Sequence, residues 1–232
     1  MSSEAGRIKI RVTGTVQGVG FRPFVYRSAL ELGISGHVLN DEHGVVVEAE
    51  GPETALDQLV RVLEREAPPL ATVESVRVER AKPAGESGFR ILPSESHGEA
   101  DALVSADMST CDACLAELAD PADRRYRYPF INCTDCGPRF TIVRGVPYDR
   151  PLTTMAGFEM CAECQAEYDD PLNRRFHAQP NACPACGPQA TLKGSGTSRT
   201  PHTEPGRDAI AGAAEMLANG AILAVKGIGG IQ

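Results

Sequence analysis

The sequence contains no tryptophan, and aromatic residues make up only 5% of its 232 residues. No apolar run approaches the ~18 residues of a membrane helix, and no apolar leader segment precedes Arg7. Few aromatic rings leave no stacking platform for nucleic-acid bases, and a formal net charge of -8 opposes binding to polyanions. These absences predict a cytoplasmic protein that binds no membrane and is a poor nucleic-acid binder.

Cysteine is absent from most of the chain, because all eight cysteines lie between residues 111 and 186. They form four CxxC pairs, and the last two pairs repeat the first two at an offset of 50 residues. Neighbouring residues repeat at the same offset, which indicates a tandem duplication with four thiolates in each copy. The cysteines are Cys111, Cys114, Cys133, Cys136, Cys161, Cys164, Cys183 and Cys186.

Two CxxC pairs separated by a loop of about 15 to 20 residues are typical of a tetrahedral zinc site. We therefore predict two structural Zn²⁺ ions, one in each copy, although the spacing leaves open a pattern in which the copies share ligands. Four thiolates leave no open coordination position, so these ions should hold the fold rather than catalyse. A disulfide framework, an iron-sulfur cluster and redox-active CxxC pairs are the alternatives, and a reducing cytosol argues against disulfides.

Seven arginines lie close to the cysteines in sequence, and we predict that they offset the charge of the thiolates. Eight thiolates and two Zn²⁺ would change the formal charge from -8 to about -12. A surface that binds polynucleotides or other anions is the alternative. His177 is expected to pack or to hydrogen-bond rather than to bind metal. The arginines are Arg124, Arg125, Arg127, Arg139, Arg144, Arg174 and Arg175.

The residues before the cysteines show alternating strand and helix signals. Apolar residues alternate with polar ones from Ile8 to Val12, and Phe21, Val25 and Ala29 follow at helical spacing. The order βαββαβ predicts an α+β fold with a ferredoxin-like sheet and both helices on one face. The predicted strands are 8–12, 34–39, 45–49, 73–78 and 89–92, and the predicted helices run from Phe21 to Gly33 and over 53–67.

A glycine-rich loop separates the first strand from the first helix. Closely spaced glycines at a helix N-terminus let backbone N–H groups converge on an anion, and the helix dipole favours negative charge there. Arg22 lies in the first turn, where its guanidinium can bind two phosphate oxygens. The loop matches neither the dinucleotide-binding pattern nor the P-loop pattern, and a simple turn is the alternative.

The segment from Val12 to Arg22, with Asn40 eighteen residues further on, resembles the acylphosphatase signature. The resemblance implies that the loop and Arg22 bind an acyl phosphate and that Asn40 orients the attacking water. His43 replaces the aspartate of the family's usual turn, away from the implied site. A fold with an inert site is the alternative. The implied phosphate-binding residues are Gln17, Gly18, Val19, Gly20, Phe21 and Arg22.

The variant Gly-Phe-Arg-Pro-Phe-Val at 20–25, followed by the tandem repeats with segments 126–133 and 174–180, resembles the HypF family of hydrogenase-maturation carbamoyltransferases. The resemblance implies hydrolysis of carbamoyl phosphate to carbamate, adenylation of carbamate with ATP and Mg²⁺ in a YrdC-like domain, and transfer to a cysteine of a HypE-type partner. Only the first step would belong to this chain. A zinc-finger docking module with an inert acylphosphatase fold and a stand-alone, broad-range acylphosphatase are the alternatives.

These signals divide the chain into six parts. In the last part, a helix containing Ile210 and Leu217 and a strand at 221–225 cannot bury a core alone, so we expect them to be frayed or docked. This part resembles the start of the YrdC-like domain, and an ordinary C-terminal appendage is the alternative. The predicted parts are a tail 1–6, an acylphosphatase-like domain 7–94, a linker 95–104, a tandem zinc-finger domain 105–190, a flexible linker 191–206 and a truncated YrdC-like start 207–232.

Overall fold

The structure is a computed structural model that describes residues 5–95, 101–193, 207–227 and 230–231. Most of the predicted tail, most of the flexible linker and the middle of the linker 95–104 lie outside the described residues. The elements are β1 (Ala5–Thr15), α1 (Phe21–Glu31), β2 (Ser35–Asp41), β3 (Gly44–Pro52), α2 (Glu53–Arg65), β4 (Thr72–Ala81), β5 (Phe89–Ile91), α3 (Asp112–Ala119), α4 (Ala162–Asp169), α5 (Arg207–Ala218), β6 (Lys226–Gly227) and β7 (Gly230–Ile231).

The first five strands form one sheet in the order β4-β1-β3-β2-β5. All neighbours are antiparallel except β2 and β5, which run parallel. The ferredoxin-like α+β sheet is therefore confirmed, and each strand predicted between residues 8 and 92 is present. We call residues 5–91 the sheet unit.

The core of the sheet unit follows the apolar alternation of its strands. Ile10 and Val12 of β1 are fully buried, and so are Val45 and Val47 of β3. Together with Leu59 of α2 they belong to one apolar cluster that also contains the buried face of α1. Both helices therefore pack on the same face of the sheet, as predicted.

Residues 101–193, which we call the finger region, contain little regular structure. Two eight-residue helices, α3 and α4, begin immediately after Cys111 and Cys161. The apolar cluster of this region consists partly of the cysteines themselves, with Tyr128, Ile142 and Met155 around them. So small an apolar core gives little hydrophobic stabilisation, and the cysteine sites must supply the rest.

The predicted linker 95–104 runs along the sheet unit where the structure describes it. The N–H of Glu95 donates to the carbonyl of Asn40 at 3.0 Å, and the N–H groups of Asp101 and Ala102 donate to the carbonyl of Glu42 at 2.9 and 2.8 Å. A backbone bridge then joins Val104 to the glycine-rich loop. These contacts place the start of the finger region beside the glycine-rich loop.

The strand predicted at 221–225 is not present, and this prediction was wrong. The helix before it is present as α5, but residues 221–225 pair with no other strand, and Ile222 is 98% exposed. Instead, β6 pairs with β7. A strand needs a neighbour for its backbone hydrogen bonds, and the described residues offer none here.

None of the helices in the described ranges combines the length and the apolar character of a membrane span.

Candidate functional site

The glycine-rich loop places backbone N–H groups at the start of α1. Gly18 and Gly20 have positive φ angles of 74° and 73°, which glycine adopts without a steric penalty. The first hydrogen bond of the helix runs from Phe24 N–H to Gly20 O at 3.0 Å. The N–H groups of Gly20, Phe21 and Arg22 precede that bond and point out of the N-terminus, where the helix dipole favours an anion.

Arg22 extends from the first turn of α1 and is 8% exposed. Its Nη2 lies 2.6 Å from Oδ1 of Asp149 in the finger region, and its Nη1 donates to the hydroxyl of Ser94 at 3.1 Å. The guanidinium is therefore held at both terminal nitrogens.

Asn40 lies near the end of β2 and is 2% exposed. Its Oδ1 is buried and has no hydrogen-bond partner among the described residues. A buried amide oxygen without a donor is uncommon in folded proteins, and it would readily accept a hydrogen bond from a water molecule.

Arg22 and Asn40 line the same cavity, whose volume is about 30 Å³. That volume exceeds the ~10–15 Å³ that one water requires. The sheet unit forms one side of the cavity and the finger region forms the other. The lining residues are Val16, Gly18, Gly20, Phe21, Arg22, Pro23 and Asn40 from the sheet unit, and Thr134, Arg139, Tyr148, His177, Ala178, Gln179 and Pro180 from the finger region.

Two residues of the predicted cradle, Gln17 and Val19, do not line this cavity. The Gln17 amide donates to the carbonyls of Asp41 and Gly44 at 2.7 and 2.9 Å, and it accepts from the N–H of Tyr148 at 2.8 Å. Val19 is 1% exposed and packs in the core of the sheet unit. The side chains of Gln17 and Val19 therefore hold the loop in place.

Arg139 ties the glycine-rich loop to the finger region. Its buried guanidinium donates to the carbonyl of Gly18, and also to those of Thr134 at 2.7 Å and Cys136 at 3.0 Å. Arg139 donates to carbonyls, among them those of Cys133 and Cys136, and to no cysteine sulfur in the described structure, so its predicted role in offsetting thiolate charge stays a prediction. Two others of the seven, Arg127 and Arg144, are exposed, and no thiolate in the described structure contacts their side chains.

His177 packs as predicted, with its ring centroid 4.8 Å from that of Tyr168 and 4.7 Å from that of Phe176. Burial and the nearby positive charge of Arg22 lower the pKa of His177 to about 4, so the ring is neutral at pH 7. Its φ of 54° matches the 57° of Arg127, which holds the same position in the first copy. Both copies therefore share the left-handed backbone at this position. Only the side chain differs, and in the second copy it is His177 that lines the cavity.

The eight cysteines form two clusters, each within one copy. In the first, Sγ–Sγ distances of 3.8, 3.7 and 3.6 Å join Cys111 to Cys133, Cys133 to Cys136 and Cys136 to Cys114. Four sulfurs about 2.3 Å from a tetrahedral ion would lie about 3.8 Å apart, whereas a disulfide requires about 2.05 Å. The second cluster has distances of 3.7, 3.8 and 3.6 Å. Both clusters fit zinc with ligands from a single copy, formed by Cys111, Cys114, Cys133 and Cys136, and by Cys161, Cys164, Cys183 and Cys186.

Each cysteine cluster receives arginines from the other copy. Arg174 of the second copy donates to the sulfurs of Cys111 and Cys114 at 3.3 and 2.9 Å. Arg124 of the first copy donates to the sulfur of Cys164 at 3.3 Å. The predicted charge compensation is therefore confirmed for these arginines, and it operates across the duplication.

Two glutamates complete this exchange. Arg125 of the first copy donates to both carboxylate oxygens of Glu167, at 2.9 and 2.5 Å, and Arg175 of the second copy pairs with Glu117. Burial alone would raise the pKa of Glu167, but hydrogen bonds from Arg125 and Arg124 lower it to about 2. These pairs lock the two copies together.

Replacing Arg125 by methionine should destabilise the finger region by about 3–5 kcal/mol, because the substitution leaves buried acceptors of the other copy unpaired. The acceptors left unpaired include Asn181 Oδ1, 2.9 Å from Arg125 Nη2, and the carbonyl oxygen of Ala182, 2.8 Å from Arg125 Nε. Zinc release to a chromogenic chelator should therefore be faster than in the wild type. Arg144→Met, at an exposed position, is the matched control, and equal release rates in the two variants would contradict the interlock.

Comparison with known proteins covers nearly the whole chain. A family model described as Acylphosphatase matches residues 8–91, and one described as HypF finger matches residues 110–143 and 160–193. A protein named Carbamoyltransferase HypF from Rhodobacter capsulatus is 50% identical over 225 residues, which are 97% of this chain. Carbamoyltransferase HypF2 from Cupriavidus necator is 54% identical over 154 residues, which are 66% of this chain.

The chain spans only a minor part of these relatives, 29% of the Rhodobacter protein and 19% of the Cupriavidus protein. A crystal structure of full-length HypF in a phosphate- and nucleotide-bound form is similar over 98% of this chain and 29% of its own length. The TM-score is 0.88 and the sequence identity 41%.

Proposed function

Because this chain belongs to the HypF carbamoyltransferase family and corresponds to the N-terminal region of its members, we propose that it hydrolyses acyl phosphates at the cavity lined by Arg22 and Asn40. The substrate would be carbamoyl phosphate. The observation that supports this most directly is Asn40, whose buried Oδ1 has no hydrogen-bond partner within the described part of the chain and which lines one small cavity with Arg22 and the start of α1.

The phosphate group would bind at the N-terminus of α1. The N–H groups of Gly20 and Phe21 would donate to its oxygens, and the Arg22 guanidinium would add charge-assisted hydrogen bonds. Since these donors are already fixed in the structure, little reorganisation is needed as charge shifts during the reaction. Burial strengthens each contact relative to water.

Asn40 would hold the attacking water through its Oδ1. The water oxygen forms a bond to phosphorus as the bond from phosphorus to the acyl oxygen breaks, and one proton of the water passes to an oxygen of the phosphoryl group. With carbamoyl phosphate the products are carbamate and inorganic phosphate. An acyl phosphate is already activated, so positioning and charge stabilisation suffice without a covalent nucleophile.

The later steps would take place outside this chain. We propose that the whole protein adenylates carbamate with ATP and Mg²⁺ and passes the carbamoyl group to a HypE-type partner. The relative solved in a phosphate- and nucleotide-bound form supports a bound phosphate and a nucleotide in one polypeptide. In this chain the two cysteine clusters would hold Zn²⁺ to stabilise the finger region.

The proposal predicts that the chain releases phosphate from carbamoyl phosphate and that Asn40→Ala lowers the rate at least about 10²-fold, the usual effect of losing one positioned polar group. Phosphorus NMR follows substrate and product directly. Gln58→Ala, an amide residue exposed on α2, is the control. Equal rates for the three proteins, or no hydrolysis by any of them, would instead support an inert sheet unit with a docking role for the finger region.

A further inference from the structure

A short segment of the finger region, residues 148–150, is fixed between the two parts of the molecule. The N–H of Tyr148 donates to Gln17 Oε1 of the glycine-rich loop at 2.8 Å. The N–H of Arg150 donates to Gln179 Oε1 at 2.9 Å, and its Nη1 donates to the Gln179 carbonyl at 2.6 Å. The segment is thus hydrogen-bonded to the sheet unit at Tyr148 and to the second cysteine-containing copy at Arg150.

Asp149 lies between these two anchors, and its carboxylate accepts from Arg22 Nη2 at 2.6 Å. The other terminal nitrogen of Arg22 donates to Ser94 at 3.1 Å. A guanidinium has five N–H groups, and these contacts use one on each terminal nitrogen. The described residues accept no hydrogen bond from the remaining N–H groups of this side chain, whose direction is already set.

The position of Asp149 distinguishes two roles for its carboxylate. A carboxylate that occupied the place of the substrate phosphate would line the cavity. The cavity is lined by Arg22 and by Tyr148, whereas Asp149 is not among its lining residues. The carboxylate therefore contacts Arg22 outside the cavity, where it can orient the guanidinium without filling the anion site.

We propose that Asp149 of the finger region is a positioning residue for Arg22, so that the acyl-phosphate site is completed across the two parts of the chain. This inference rests on the proposed function of that site. A long arginine side chain samples many rotamers when it is unpaired, and only some of them direct N–H groups at the phosphate. The carboxylate selects one of these orientations before the substrate binds.

Asp149→Asn tests this, because the amide removes the charge at nearly constant size. The turnover number for carbamoyl phosphate should fall at least about tenfold, and the Kd for inorganic phosphate, measured by calorimetry, should stay equal or rise because Arg22 is no longer held toward the anion. Asp149→Glu should recover part of the lost turnover. Glu159→Gln, an exposed carboxylate of the finger region, should behave like the wild type.

Three outcomes would overturn the inference. Unchanged turnover in Asp149→Asn would show that Arg22 needs no partner. Increases in both turnover and phosphate affinity would make Asp149 an occluding group. A fall in turnover that merely follows a loss of zinc or a lower Tm would make its role structural.

The positioning role can also be tested without turnover, which separates its failure from failure of the proposed function. In nitrogen NMR spectra, restricted rotation of the Arg22 guanidinium gives distinct Nη signals in the wild type, and Asp149→Asn should average them. Distinct signals retained in Asp149→Asn, or averaged signals in the wild type, would refute the positioning role even if no acyl phosphate were hydrolysed.

Discussion

Replacing Arg22 by methionine is expected to lower kcat/KM for carbamoyl phosphate by about 10³-fold or more, the usual effect of removing an arginine that stabilises a transferring phosphoryl group. Methionine keeps much of the apolar stem but offers no donor. Two arginines, Arg22 and Arg139, line the cavity, and the N–H groups of Arg139 are engaged with carbonyls in the described structure. The substitution would therefore remove the cation that is left to bind the phosphate. Steady-state phosphate release from purified variants measures the effect.

The control for this substitution is Arg27→Met, on the same helix and exposed to solvent. It removes the same formal charge but no group that lines the cavity, so kcat/KM should change less than about threefold, as expected for an exposed charge in water. Similar losses in the two variants would mean that Arg22 acts only through overall charge. A folded Arg22→Met protein with wild-type kinetics would remove Arg22 from the mechanism.

Removing zinc is expected to unfold the finger region and leave the sheet unit folded. Structural zinc contributes roughly 10–16 kcal/mol to small domains of this kind. The finger region has only a small apolar cluster, which includes the cysteines themselves, whereas the sheet unit has a separate core. Hydrogen exchange measured by mass spectrometry, with and without a strong chelator, should show lost protection in 105–190 and retained protection in the strands.

Single cysteine variants make this test specific to each site. Cys114→Ser and Cys164→Ser should each lower the zinc content below two per chain and also weaken retention at the unmutated site, because arginines of each copy contact the sulfurs of the other. Retained protection of the finger region after complete zinc removal would contradict a structural role for the metal. Loss of protection in β1 to β3 would show that the two parts do not fold separately.

The sheet unit could be predicted because its signals are local. Alternation of apolar residues indicates the strands, and glycine-rich turns separate them. The ends of the strands were less predictable: β1 continues to Thr15 because it pairs with β4 past a register shift at Gly14, where no alternation remains. The wrong strand at 221–225 shows the same dependence on a partner, since its apolar composition alone does not provide a neighbouring strand.

The candidate site was only half predictable for a related reason. Arg22 and Asn40 belong to a compact motif, and their predicted roles remain a proposal. Asp149 lies 127 residues from Arg22 in sequence and belongs to no pattern. The side chains that cover the cavity come from the finger region, and only tertiary packing reveals them. Differences between the two copies are the one available signal, because position 127 carries arginine where position 177 carries histidine.

The exchange of arginines between the two copies means that the duplication behaves as a closed pair rather than as an extendable array. Each copy gives Arg124 or Arg174 to its neighbour's sulfurs and receives the equivalent group in return, as subunits do in a two-fold symmetric dimer. A third copy would find no free acceptor for its arginines, and a single copy would have donors and sulfurs without counterparts. A change in the number of copies would therefore leave arginines or sulfurs unpaired, whereas the exchange does not depend on His177 at the cavity.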